Sequence, residues 1–258
     1  MGRIISICNQ KGGVGKTTTA INLSACLAQA GKKVLTIDFD PQANTTSGLG
    51  VDKYSLDNTV YNLLLGEYRI DEIICPTIID NLFLLPTNME LAGAEIELIS
   101  QQEREYILKK ILVDVKYLYD FILIDCPPSL NILTVNALTA SDTVLVPIQC
   151  EYFALEGLTQ LMYTIDLIQQ RLNRRLQLEG VVFTMFDPRT NLSSQVVEEV
   201  KLHLKGNVYK TIIPRNVRLS EAPSHGKPIT LYDPKSKGAE SYIALADEVI
   251  NRKEMPYV

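Results

Sequence analysis

The segment that most limits what this chain can fold into is Asn9-Gln10-Lys11-Gly12-Gly13-Val14-Gly15-Lys16-Thr17-Thr18. It follows the apolar run Ile4-Ile5-Ser6-Ile7-Cys8, which reads as a buried strand, and leads directly into a helical pattern from Thr17 to Ala30. Gly31 stands just beyond, where a helix end favours a left-handed residue. In a strand, glycine loop and helix of this kind, backbone N–H groups turn inward around a phosphate and the helix N-terminus adds a positive dipole. Gly12, Gly13, Val14, Gly15 and Thr18 are thus candidates to cradle phosphates. Lys16 would reach the β- and γ-phosphates of a nucleotide, and the Thr17 hydroxyl would hold Mg²⁺. A plain glycine-rich turn with a solvated lysine explains neither the hydroxyl nor the flanking elements.

The rest of the chain keeps the same alternation. Val34–Asp38, Leu82–Leu85, Phe121–Ile124, Thr143–Val146, Val181–Phe183 and Tyr209–Ile213 read as further strands. Between them, apolar residues recur at three- and four-residue steps, as in Ile107 to Val115, Leu155 to Ile168, Val196 to Leu204 and Tyr242 to Ile250. Strands apolar on both faces, alternating with helices, predict an α/β fold: a mostly parallel, twisted sheet with helices on both faces. No repeat or linker interrupts the pattern, so residues 1–258 are expected to form a single domain. Residues 48–59 are the least periodic and are expected to form a loop beside the site.

Two acids fall where such a sheet presents ligands, at the carboxyl ends of strands. The second strand ends in Asp38-Phe39-Asp40-Pro41. Asp38 reads either as an indirect partner of Mg²⁺ or as a polar strand end. The later run Phe121-Ile122-Leu123-Ile124 ends in Asp125-Cys126-Pro127-Pro128, the pattern of a Walker B strand, with Asp125 holding Mg²⁺ through a water.

Composition narrows the class. The five cysteines lie singly at Cys8, Cys26, Cys75, Cys126 and Cys150, which argues against a disulfide framework or a zinc ribbon and for a reducing, cytoplasmic setting. No apolar run approaches the roughly 18 residues of a membrane span. The net charge of −5 argues against a protein that coats nucleic acid with its whole surface. Yet the window from Arg171 to Arg218 carries nine Lys/Arg against four acids, a local excess that suits one polyanion site or a set of solvated helix faces.

The phosphate loop departs from the common pattern G-x-x-x-x-G-K-[ST] in one informative way. Gln10 stands where glycine is usual, and Lys11 adds a second lysine five residues before Lys16. This K-G-G-x-G-K-T form resembles the deviant Walker A loop of the ParA/MinD family of P-loop ATPases. The stretch from Ile213-Pro214-Arg215-Asn216-Val217-Arg218 to Lys227-Pro228, followed by Tyr232-Asp233-Pro234, resembles the chromosomal ParA subfamily called Soj, and the resemblance covers almost the whole chain.

The resemblance implies ATP/ADP and Mg²⁺ as cofactors and slow ATP hydrolysis. It makes Lys11 the lysine that reaches across a dimer, Lys16 the usual phosphate lysine, and Asp40 the catalytic aspartate that positions the attacking water and could also serve the metal indirectly. It makes Pro214 and Asn216 base-contact residues. It implies a homodimer formed on ATP binding that holds double-stranded DNA without sequence specificity and is released when a ParB-type partner stimulates hydrolysis. Arg189 and Arg218 would carry DNA contact, with Lys201 and Lys205 extending the patch, and all four lie in the basic window. The expected location is cytoplasmic and nucleoid-associated, without stable membrane association. A MinD-like membrane ATPase would need a basic amphipathic C-terminal helix, which the acids and late proline of the tail disfavour. An iron–sulfur carrier on the same fold would need cysteines placed across a dimer, for which Cys126 is the one candidate. A metabolic synthetase or kinase would need its own substrate pocket, and no motif supplies one.

Overall fold

The computed structural model describes residues 2–151, 154–204 and 206–252. Its strands are β1 (Arg3–Ile7), β2 (Val34–Asp38), β3 (Cys75–Pro76), β4 (Leu82–Leu85), β5 (Phe121–Asp125), β6 (Thr143–Gln149), β7 (Gln177–Phe186) and β8 (Val208–Pro214). The first six α-helices are α1 (Lys16–Gln29), α2 (Asn44–Gly48), α3 (Val60–Leu65), α4 (Ile70–Ile73), α5 (Leu91–Glu97) and α6 (Ile107–Val113). They are followed by α7 (Ile132–Ala140), α8 (Ala154–Arg171), α9 (Asn191–His203), α10 (Val217–Glu221), α11 (Ile229–Tyr232) and α12 (Lys237–Asn251).

All eight strands join one sheet in the order β3-β4-β2-β5-β1-β6-β7-β8, parallel except for β3 on β4. The chain therefore winds outward in both directions from β1, and the carboxyl ends of the strands beside it bound the crevice where such sheets bind ligands. Every residue of β2 and β5 is buried, as expected of central strands covered on both faces. One face is packed by α1 and α10–α12 through Ile21, Leu27, Tyr242 and Leu245. The other is packed by α3–α9 through Leu63, Leu112, Leu133, Leu161 and Val200. Each fully buried leucine contributes about 2 kcal/mol relative to exposure.

The expected α/β architecture is the one observed, and the elements differ from the sequence reading in several details. β3 is a two-residue antiparallel edge that sequence patterning does not register. β7 runs from Gln177 to Phe186 rather than over Val181–Phe183 alone. α7 has no helical stripe to detect, because almost all of it is buried and apolar residues surround its axis. Gly48 ends α2, and residues 49–59 form turns in which the Lys53 ammonium bonds the Gln42 carbonyl at 2.7 Å. Gly31 takes φ +80°, the left-handed stop expected after α1.

Candidate functional site

The loop after β1 enters α1 with Gly13 at φ +74° and Gly15 at φ +88°, conformations that a side chain would strain. The loop is held from outside: Thr184 at the end of β7 donates its hydroxyl to the Val14 carbonyl at 2.8 Å. Asn9 donates its side-chain amide to the Pro147 carbonyl on β6 at 2.8 Å. Lys16, the first residue of α1, is buried, and its ammonium bonds the Lys11 carbonyl at 3.1 Å across the loop.

Two adjoining cavities open over this loop, each of about 320 Å³. The first is lined by Gly12, Gly13, Gly15, Lys16, Thr17 and Thr18, faced by Asp40, Gln42, Asn44, Pro128 and Met185. The second is lined by Thr184, Pro214, Arg215, Asn216, Ser220 and Tyr242 among others. Gly15, Thr18 and Met185 line both and form the junction between them. Together they make a polar compartment at a helix N-terminus joined to a more apolar one, the shape that a nucleotide's phosphates and base would need.

The carboxylates divide by partner. Asp125 and Asp38 stand side by side on neighbouring strands, both fully buried. Asp125 Oδ2 accepts hydroxyl bonds from Thr17 at 2.8 Å and Thr45 at 2.7 Å. Its Oδ1 is buried and has no hydrogen-bond partner. An acceptor without a donor beside a second hard oxygen suits a small divalent cation and its waters, so the donor set fits Mg²⁺. Burial pushes the Asp125 carboxyl up to about 6, against the opposing pull of the Thr45 and Thr17 hydroxyls. Asp38 does not line the cavity: its Oδ2 accepts from the Thr46 amide and hydroxyl, both at 2.7 Å, and its Oδ1 accepts from the Asp40 amide at 3.4 Å. Burial, and then the charge of Asp125, push its carboxyl up to about 7. Asp38 is thus the strand-end acceptor that seats α2 rather than a residue lining the phosphate compartment. Asp40 does line that compartment, with Oδ1 accepting from the Gln42 amide at 3.0 Å.

Lys11 turns away from its own phosphate compartment and pairs with Glu151, just after β6, at 2.6 Å. Asn216 lines the second cavity and caps α10, accepting the Arg218 amide at 2.8 Å; Pro214 ends β8 beside it. Arg189 and Arg218 project from segments that follow the neighbouring strands β7 and β8, at the carboxyl ends of the parallel strands, as the phosphate loop follows β1. Arg189 is highly exposed and forks onto Asp187 at 2.9 and 2.6 Å. That fork holds the Asp187 carboxyl well below the usual range. Arg218 pairs with Glu221 at 2.8 Å and with Asp233 at 3.6 Å. Lys201 is exposed on α9, and Lys205 lies outside the described residues. Cys126 is fully buried; its bond to Cys8 and the burial itself push the thiol well up, so it packs the sheet and offers no surface ligand. Among the described residues no group of three or more His, Cys, Asp or Glu could hold a metal ion, and no helix is long and apolar enough to cross a membrane.

Sequence reasoning missed Thr45, Thr46, Thr184, Met185 and Glu151. Thr45 and Thr46 sit in a run of small polar residues that reads as loop. The other three lie just before or after strand ends, where position alone could have flagged them.

Comparison with known proteins gives a consistent result. A family model described as an AAA domain matches residues 2–178. The sporulation initiation inhibitor protein Soj of Bacillus subtilis is 60% identical over 249 residues, covering 96% of this chain and 98% of that protein. The chromosome partitioning protein ParA of Myxococcus xanthus is 55% identical, covering 98% of this chain and 89% of that protein. A crystal structure from Mycobacterium smegmatis, described as cobyrinic acid a,c-diamide synthase with bound ADP and magnesium, has a TM-score of 0.86 and 39% identity, covering 97% of this chain and 94% of that one. With these relatives matching over most of both chains and with the loop, Walker B strand and cavities in place, the chain belongs to the ParA/Soj family of P-loop ATPases.

Proposed function

We propose that this chain is a chromosome-partitioning ATPase, acting as one domain, whose ATP-bound form pairs with a second copy, grips duplex DNA, and lets go after hydrolysis stimulated by a ParB-type partner. The phosphates lie in the Gly12–Thr18 compartment, with Lys16 as their cation. The base lies in the second cavity beside Pro214 and Asn216. Thr17 and Asp125 would hold Mg²⁺, which when bound neutralises phosphate charge. Asp40, the carboxylate facing the phosphate compartment, accepts a proton or orients a water there.

The observation that carries the pairing is the second lysine. Lys11 is tied to Glu151 rather than to its own phosphate compartment. Gly12 has open space where a side chain would begin, and its φ is not in the left-handed region. The isolated fold therefore needs neither a lysine at position 11 nor a glycine at position 12; a surface closing over the loop would need both. Pairing also explains how weak DNA contacts become useful. One copy offers Arg189, Arg218 and a few neighbours, and two copies double the phosphates neutralised, on which affinity depends steeply.

The test is a mobility shift on random-sequence duplex with ADP or a non-hydrolysable ATP analogue at two salt concentrations. Retardation is expected with the analogue only and should weaken sharply as salt rises. Retardation equal with ADP and without nucleotide refutes the reading. The 39% identity to a structure described as cobyrinic acid a,c-diamide synthase favours a second reading, an ATP-dependent amide synthase. It predicts ATP turnover that needs a carboxylic acid to amidate and ignores DNA.

A further inference from the structure

Met185 is not among the residues that loop and strand motifs assign, yet it stands at the junction of the two cavities. Its backbone is left-handed, with φ +49°. The cause is visible in the sheet. Phe183 of β7 pairs with Ile212 of β8, whereas Phe186 pairs with Pro214, so β7 spends three steps where β8 spends two. The extra residue makes a bulge, a device that re-aims a side chain at the end of a strand. Glycine would take this conformation without strain, and any side chain there is disfavoured. Keeping a side chain where the backbone opposes one points to a use for that side chain.

What the bulge does is specific to this place. It lets Thr184 hold the Val14 carbonyl of the phosphate loop at 2.8 Å while the next residue reaches the space between the compartments. Methionine suits that space chemically, because its flexible, polarisable thioether makes favourable contacts with aromatic rings and fills irregular gaps.

We propose that Met185 is a nucleoside-binding residue: its side chain packs on the sugar and purine of the nucleotide and contributes nothing to the phosphates. The proposal rests on the nucleotide lying across both cavities.

Equilibrium binding with Mg²⁺ tests it, using ATP and inorganic tripolyphosphate as the two probes on wild type, Met185→Gly, Met185→Ala and Lys16→Ala. ATP is expected to bind about fivefold more weakly to both Met185 variants, the loss of one thioether contact. Tripolyphosphate affinity should not change. The ligand-free thermal midpoint of Met185→Gly should be at or above that of Met185→Ala, since only glycine relieves the backbone. Unchanged ATP affinity in Met185→Gly overturns the proposal. So does an equal loss for tripolyphosphate, which would place the effect in the phosphate loop, or a Met185→Gly protein less stable than Met185→Ala. Lys16→Ala separates the two levels of the argument. If it binds ATP as wild type does, the nucleotide placement itself is wrong; if it loses both probes while the Met185 variants keep ATP, only the present inference fails.

Discussion

Replacing Asp38 by asparagine should make the ligand-free protein more stable, and more so as pH rises. Asp38 is fully buried and its carboxyl is pushed from an ordinary 3.8 up to about 7 by burial and the neighbouring Asp125. A raised folded-state value means that below about pH 4 both states hold the proton and nothing is lost. Between about pH 4 and 7 the unfolded chain releases the proton while the folded one keeps it, so stability falls as pH rises through that window. Each unit is about 1.4 kcal/mol, so the penalty is about 2 kcal/mol at pH 5 and about 4 kcal/mol at pH 8. The amide removes this penalty but weakens the bonds from Thr46, at about 1 kcal/mol each. The expected net gain is therefore near zero at pH 5 and about 2 kcal/mol at pH 8. Urea unfolding of both proteins in chelator at pH 5, 6, 7 and 8, compared as a difference so that other groups cancel, reads this directly. An asparagine protein that is less stable at pH 8 than wild type, or a difference that does not grow with pH, refutes the claim that these two carboxylates share a dry site.

Other changes separate the parts of the proposed cycle. Gly12→Val should leave unfolding stability within about 0.5 kcal/mol, because its Cβ has open space, and should abolish nucleotide-dependent pairing in light scattering. Asp40→Ala should keep ATP binding and pairing but lower the hydrolysis rate by about 100-fold or more in a phosphate-release assay. Arg189→Glu should keep pairing and lose retardation of duplex DNA; full DNA affinity in that variant would move the DNA surface elsewhere.

How legible this was in sequence depended on whether local chemistry or tertiary context set each residue's conformation. The loop from Lys11 to Thr18 was readable because glycine, lysine and hydroxyl must each stand at a fixed offset between a strand and a helix. Asp125 was readable because four apolar residues lead into it. The central strands announced themselves by uninterrupted apolar runs, since helices cover both of their faces. α7 was invisible for the same physical reason, being buried nearly all round and so lacking a stripe. Thr45 could not be assigned to Asp125 because their contact joins residues 80 apart in the chain. Asp38 was ambiguous until the Thr46 bonds decided which way its carboxylate turned. The bulge at Met185 is a register slip between two strands, and nothing in the residues 183–186 alone encodes it.

The most direct test of the whole account is sedimentation of the purified chain with Mg²⁺ and either ADP or a non-hydrolysable ATP analogue. The account predicts one copy of 28.8 kDa with ADP and twice that mass with the analogue. A single-copy mass in both, or a doubled mass in both, contradicts it.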